Sequence, residues 1–77
     1  MYEIIGKQIK QRRLQKRKSV AWMADRMGLT ARRIEQIESG WPTPLANYIR
    51  LADILKYRLS RWIAVAEKHQ IASQTGS

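Results

Sequence analysis

The segment MADRMGLTARRIEQIESG, Met23 to Gly40, restricts this chain more than any other stretch. Two short runs with apolar residues at helical spacing meet at Gly28-Leu29-Thr30. Glycine takes the left-handed conformation that ends a helix without steric cost, and threonine offers a side-chain oxygen to begin the next. Val20, Met23, Ala24 and Met27 form the inner face of the first run, which Ser19 caps. Leu29 turns inward, Ile34 and Ile37 are the buried stripe of the second run, and Ser39-Gly40 ends it. Two short helices must therefore pack against each other around one tight turn, and the flanking sequence has to cover them.

The flanks read as helices too. Ile5 and Ile9, with Leu14, fall at helical spacing over roughly 3–16, although Gly6 weakens that helix by somewhat under ~1 kcal/mol relative to alanine. After the connection Trp41-Pro42-Thr43-Pro44, Thr43 is placed as N-cap and Pro44 at the first helical position. Leu45, Tyr48, Ile49, Ala52 and Leu55 follow on one face, broadened by Leu51 and Ile54. From Lys56 the pattern of Tyr57, Leu59, Trp62, Ile63, Val65 and Ala66 predicts a fifth helix reaching about residue 70. No segment reads as a strand. The expected fold class is all-α, with five short helices forming one domain over residues 1–71 and a disordered tail at 72–77.

Charge narrows the partner. Fifteen Lys and Arg against six Asp and Glu give a formal charge of +9 on 77 residues, which implies a polyanionic partner or a strongly solvated surface. Seven of the cations lie between Lys7 and Lys18 with no acid among them. Such a run is also what a solvated helix face looks like, and basic amphipathic helices bind anionic lipid. Against a membrane partner, the apolar residues are spread in core-like patterns, and no apolar run approaches the ~20 residues that span a bilayer. Cysteine is absent, excluding disulfides and thiolate metal sites and fitting a reducing cytoplasm. The opening MYEIIGKQIKQRR is not followed by the apolar stretch of a secretory signal.

With these residues in view, the sequence resembles the lambda-repressor-like (Cro/repressor, XRE) helix-turn-helix family. The likeness runs from Ile5 to Trp62, about three quarters of the chain. It rests on Ile5-Gly6, Ile9, Arg13, Ser19, Met23-Ala24, Gly28, Ile34, Ile37, Glu38-Ser39-Gly40, Leu51-Ala52, Leu55, Leu59 and Trp62. The resemblance implies that the third helix enters the major groove of double-stranded DNA, with Ala31, Arg32, Arg33 and Gln36 facing base edges. The chemistry suits that role. Arginine matches guanine O6 and N7 with two parallel donors, glutamine bridges adenine N6 and N7, and alanine touches a thymine methyl. Solvated cations, or contacts to phosphate alone, are the plainer reading of Arg32 and Arg33. Phosphate contacts are expected from Arg17, Lys18, Ser19, Thr30, Ser39 and Trp41, and the resemblance implies a structural ion pair between Arg13 and Glu38.

Three departures stand out. Val20 occupies the position where relatives carry a glutamine that grips phosphate, so Ser19, backbone amides or Arg17 and Lys18 must take over. Trp22 stands where relatives favour a polar group; it can pack under the C-terminal helix, lie against DNA, or face a partner. Lys56 and Arg58 replace the usual glycine and polar cap before the last helix.

The expectation is a transcriptional regulator of Cro-like repressor or controller type. It would bind a palindromic operator as a homodimer through Tyr57, Leu59, Trp62, Ile63, Val65 and Ala66, without cofactor or small-molecule ligand. A protein-interaction or antitoxin-type helix-turn-helix module is the alternative, and non-specific RNA binding comes third. Nothing points to an enzyme: His69 is alone near the chain end, Glu35 and Glu38 lack a neighbouring His or Cys, and the four glycines are isolated.

Overall fold

The computed structural model describes residues 1–75, with side chains described through residue 69. It has five helices and, among the described residues, no strand: α1 (Tyr2–Gln15), α2 (Val20–Met27), α3 (Ala31–Glu38), α4 (Leu45–Ile54) and α5 (Leu59–Thr75). The first packs on α3 and α5, α2 lies between α3 and α4, and α4 meets α5. No helix among the described residues is long and apolar enough to cross a membrane. Of the tail expected to be disordered, residues 72–75 continue α5 instead. Residues 76–77 lie outside the described residues.

One core joins all five helices. Ile5 and Ile9 enter it from α1, Met23, Ala24 and Met27 from α2, and Ile34 and Ile37 from α3. Tyr48, Leu51, Ala52 and Leu55 come from α4 and its end, Trp62 and Ala66 from α5. Each fully buried aliphatic side chain contributes about 1.5–3 kcal/mol, so so thin a core depends on nearly every member. Leu45, Ile49 and Leu14 depart from expectation: they are exposed at 62%, 52% and 55%. The apolar stripe of α4 is therefore wider than the surface its neighbours can cover.

Four helix ends share one construction. At the C-cap of α2, and just after the C-caps of α1, α3 and α4, stands a residue of positive φ: Gly28 (67°), Arg17 (57°), Gly40 (106°) and Lys56 (52°). In each case the next residue's N–H donates back across the turn: Lys18 to the Arg13 carbonyl, Leu29 to Ala24, Trp41 to Gln36 and Tyr57 to Ala52, at 2.9–3.2 Å. These are Schellman ends, which satisfy carbonyls the helix leaves unpaired. Two are built on glycine and two on a cation that bears the left-handed strain. The start of α4 lies one residue later than the sequence suggests. Pro44 is the N-cap, with extended backbone, and Thr43 Oγ1 instead accepts a hydrogen bond from Asn47 Nδ2 at 2.7 Å.

Arg12, Tyr57 and Trp62 form a column that locks the α4–α5 connection. The Arg12 guanidinium lies 5.1 Å from the Tyr57 ring centre and donates to the carbonyls of Leu55 and Lys56. Tyr57 in turn stacks on Trp62 at 5.5 Å. Cation, phenol and indole so arranged gain beyond area burial.

Candidate nucleic-acid interface

The turn between α2 and α3 is held by its caps. Ser19 Oγ accepts from the Trp22 N–H at 3.0 Å, and Thr30 Oγ1 accepts from the Arg33 N–H at 3.1 Å. Between them Gly28 makes the left-handed step and Leu29 is half-buried against the core.

The C-terminal half of α3 is fastened. Arg13 Nε donates to Glu38 Oε2 at 2.7 Å and Arg13 Nη2 to Glu38 Oε1 at 3.0 Å. Both side chains are buried, at 6% and 5% exposure. The remaining Arg13 nitrogen, Nη1, donates to the Lys18 carbonyl at 2.8 Å, so one guanidinium ties α1, the α1–α2 turn and α3 together. Gly6 lets the backbones of α1 and α3 touch: a Cβ there would fall on the carbonyl oxygens of Ile37 and Glu38. A Cβ on Gly40 would fall on Glu3. The far end of α3 is thus clamped to α1, and its N-terminal turn projects.

At 3.6 residues per turn, Ile34, Ile37 and Glu38 point inward and Arg32 with Gln36 lies on the opposite side. Ala31 and Arg32 are exposed; Arg33 and Gln36 are half-buried. Arg32 makes no hydrogen bond or ion pair among the described residues. Arg33 differs. Its Nη2 donates to the Pro42 carbonyl at 3.1 Å and its Nη1 reaches Gln36 Oε1 at 3.5 Å. It braces the loop after α3 and has fewer donors left for a base than its neighbour.

The residues implied in phosphate contact divide. Arg17, Lys18, Ser19, Thr30, Ser39 and Trp41 are all exposed. Ser19 and Thr30 use their oxygens as acceptors for their caps, which leaves each hydroxyl proton to donate. Ser39 has no such freedom, because its hydroxyl donates to the Glu35 carbonyl at 2.8 Å. A phosphate oxygen only accepts, so Ser39 would have to break that bond to reach one. Lys10, on α1, shares a surface hollow with Val20, Glu35 and Ser39. It places a cation beside Val20, where sequence reasoning found an amide clamp missing; its place three residues before Arg13 on α1 was the available signal.

Trp22 now has a place. It is half-buried between α2 and the end of α4, with Lys18 Nζ 4.8 Å and Arg26 Cζ 5.0 Å from its ring centre. Among the described residues Arg13–Glu38 is the sole ion pair. The exposed cations of α1 and the following turn are therefore uncompensated at close range.

The surface expected to dimerise is corrected. Trp62 and Ala66 are 1% and 0% exposed within the single chain, so they form its core and cannot also form an interface. Tyr57 is the middle of the Arg12–Trp62 column. Val65 is half-buried but sits around α5 from Leu59 and Ile63, on the other flank of the Trp62–Ala66 stripe. Leu59 and Ile63 remain, lining an apolar groove of about 210 Å³ with Met1, Tyr2 and Leu45. Burial also pushes the phenol of Tyr48, at the same groove, above its ordinary range; the positive charge of Arg33 offsets this only in part, and the hydroxyl has no hydrogen-bond partner among the described residues.

Compared with protein-family models and with curated proteins, the chain matches none.

Proposed function

We propose that this protein is a sequence-specific double-stranded DNA-binding regulator of transcription with a lambda-repressor-like helix-turn-helix, acting in the cytoplasm at the nucleoid. In this reading α3 lies in the major groove, Arg32 and Gln36 are the principal base readers, and Ala31 and Arg33 flank them. Phosphates are held by Arg17, Lys18, Ser19, Thr30 and Lys10, with the Trp41 indole N–H beyond α3. The carrying observation is a helix clamped at one end by a buried ion pair, whose free turn presents an exposed Arg32 with no side-chain partner among the described residues and, one turn on, the half-buried Gln36, on a chain of charge +9.

Dimerisation belongs to the groove of Leu59, Ile63, Leu45 and Tyr2, whose lining has no charged side chain. On so cationic a chain, this is where two copies approach with least repulsion. A two-fold dimer would read two half-sites about one helical turn apart. The exposed Leu45 and Ile49 also favour a second reading, an antitoxin-type module that uses this face for a different protein.

Selection of bound fragments from random duplex DNA at near-physiological salt separates the two. A palindromic motif, lost on Arg32→Ala or Gln36→Ala, is the expected result. Binding without sequence preference, left intact by those changes, would refute base reading and favour the second reading.

A further inference from the structure

An open cleft of about 440 Å³ lies between the ends of α1 and α4 and the outer flank of α2, and no residue of α3 lines it. Its floor is apolar, formed by the half-buried Trp22 with Ile54 and Leu55. Its rim is cationic: Lys16, Lys18, Arg26 and Lys56 face a single carboxylate, Asp53. None of the four cations has an ion-pair partner among the described residues, and two lean on the Trp22 ring instead.

The backbone adds a second observation. Both helices that end at the cleft do so through a left-handed cation, Arg17 and Lys56, whereas α2 and α3 end through glycine. That conformation costs an L-residue about 1–2 kcal/mol that glycine avoids. Strain of this kind gathers at functional sites; here it places Lys56 on the cleft's rim, while Arg17 stands between the rim residues Lys16 and Lys18 without lining the cleft itself.

We propose that this cleft binds an acidic peptide segment of a protein partner, its carboxylates on the four cations and one aliphatic or aromatic side chain against Trp22. A nucleic-acid backbone is the poorer occupant. It has no apolar group for the floor and, unlike a peptide, no backbone N–H to donate to Asp53. The proposal does not depend on α3 reading DNA.

The test is an NMR titration of the isotope-labelled full chain with three probes. These are a short Asp/Glu peptide around a central Leu-Phe pair, the same peptide with Ala-Ala at the centre, and a short duplex of arbitrary sequence. The first peptide is expected to shift the Trp22 indole and the amides of Arg26 and Lys56, and to bind at least about tenfold tighter than the second, in keeping with burial of one apolar side chain. Arg26→Gln with Lys56→Gln, both at exposed positions, is expected to weaken it at least about tenfold while α3 resonances stay in place. Equal binding of the two peptides, indifference to the double change, or cleft shifts from the duplex and not from the peptide would each overturn the proposal.

Discussion

Replacing Glu38 by glutamine tests what holds α3 to the body of the protein. The change keeps shape and volume but removes the charge that faces Arg13. In the native chain the carboxylate receives two Arg13 donors, at 2.7 and 3.0 Å, with both side chains at or below 6% exposure. A glutamine keeps one acceptor and turns an NH₂ toward the other guanidinium nitrogen, where two donors cannot bond. One charge-assisted hydrogen bond is lost, worth about 1.5–3 kcal/mol, and a buried cation is left without its counter-charge. Breaking a buried pair this way costs about 3–5 kcal/mol in all. A chain of 77 residues has about 4–12 kcal/mol of stability at the usual ~0.05–0.15 kcal/mol per residue. The expected loss is therefore about a quarter of the total or more. With a urea m-value near ~1 kcal/mol/M, the midpoint followed by far-UV circular dichroism should fall by about 3 M or vanish. Arg13→Met with Glu38→Leu should recover to within about 1 kcal/mol of native, because no charge is then stranded. Only the Lys18 carbonyl, at the partly solvated edge, loses its Arg13 donor. A loss under about 1 kcal/mol for Glu38→Gln, or a double variant no better than the single one, would refute the reasoning.

Three further perturbations probe other parts of the account. Gly6→Ala raises helix propensity by about 0.8–1 kcal/mol, yet its Cβ meets backbone oxygens of α3 that cannot swing aside, so overpacking of about 1–3 kcal/mol should win and lower the thermal midpoint. Arg17→Gly should do the reverse: relief of about 1–2 kcal/mol of left-handed strain exceeds the about 0.4–1 kcal/mol of added chain entropy, raising Tm by several degrees. The same change removes one cation from the proposed phosphate surface and should reduce the slope of log affinity against log salt by about one. Tyr48→Phe removes a buried hydroxyl that has no hydrogen-bond partner among the described residues, so at neutral pH it should be neutral or slightly stabilising. Because burial raises the Tyr48 pKa above 10.0, native stability is undiminished by this group below that value and drains as pH climbs through the raised one. The native-minus-Phe stability difference should therefore decline above pH 10.0 by no more than about 1.4 kcal/mol per pH unit, measured by urea unfolding across the alkaline range.

The sequence announced helix ends where glycine marked them. Gly28 and Gly40 were legible because only their conformational freedom explains their positions. Arg17 and Lys56 adopt the same geometry with ordinary side chains, and nothing local distinguishes a cation under left-handed strain from one on a solvated turn. The inner faces of α2 and α3 were readable from spacing, since short helices between two packing partners bury a narrow stripe. The last two helices were less so. An apolar pattern says which residues avoid water, not what covers them. Trp62 and Ala66 thus looked like interface but fill the core, while Leu45 and Ile49 looked like core but face solvent. The Arg13–Glu38 contact came into view through the family resemblance, because two residues 25 positions apart give no periodic signal. The hydrogen bonds that set Arg33 apart from Arg32 depend on where the Pro42 carbonyl lands, which sequence does not reveal.

Base reading by Arg32 is the central claim, and one paired measurement tests it most directly. Fluorescence anisotropy at fixed salt would give the affinities of native chain and Arg32→Ala for the selected operator and for its scrambled version. A lost bidentate contact is worth about 1–3 kcal/mol of discrimination, so operator affinity should fall at least about tenfold while scrambled-duplex affinity falls no more than about threefold. An equal fall on both duplexes would make Arg32 a phosphate contact only and contradict the account.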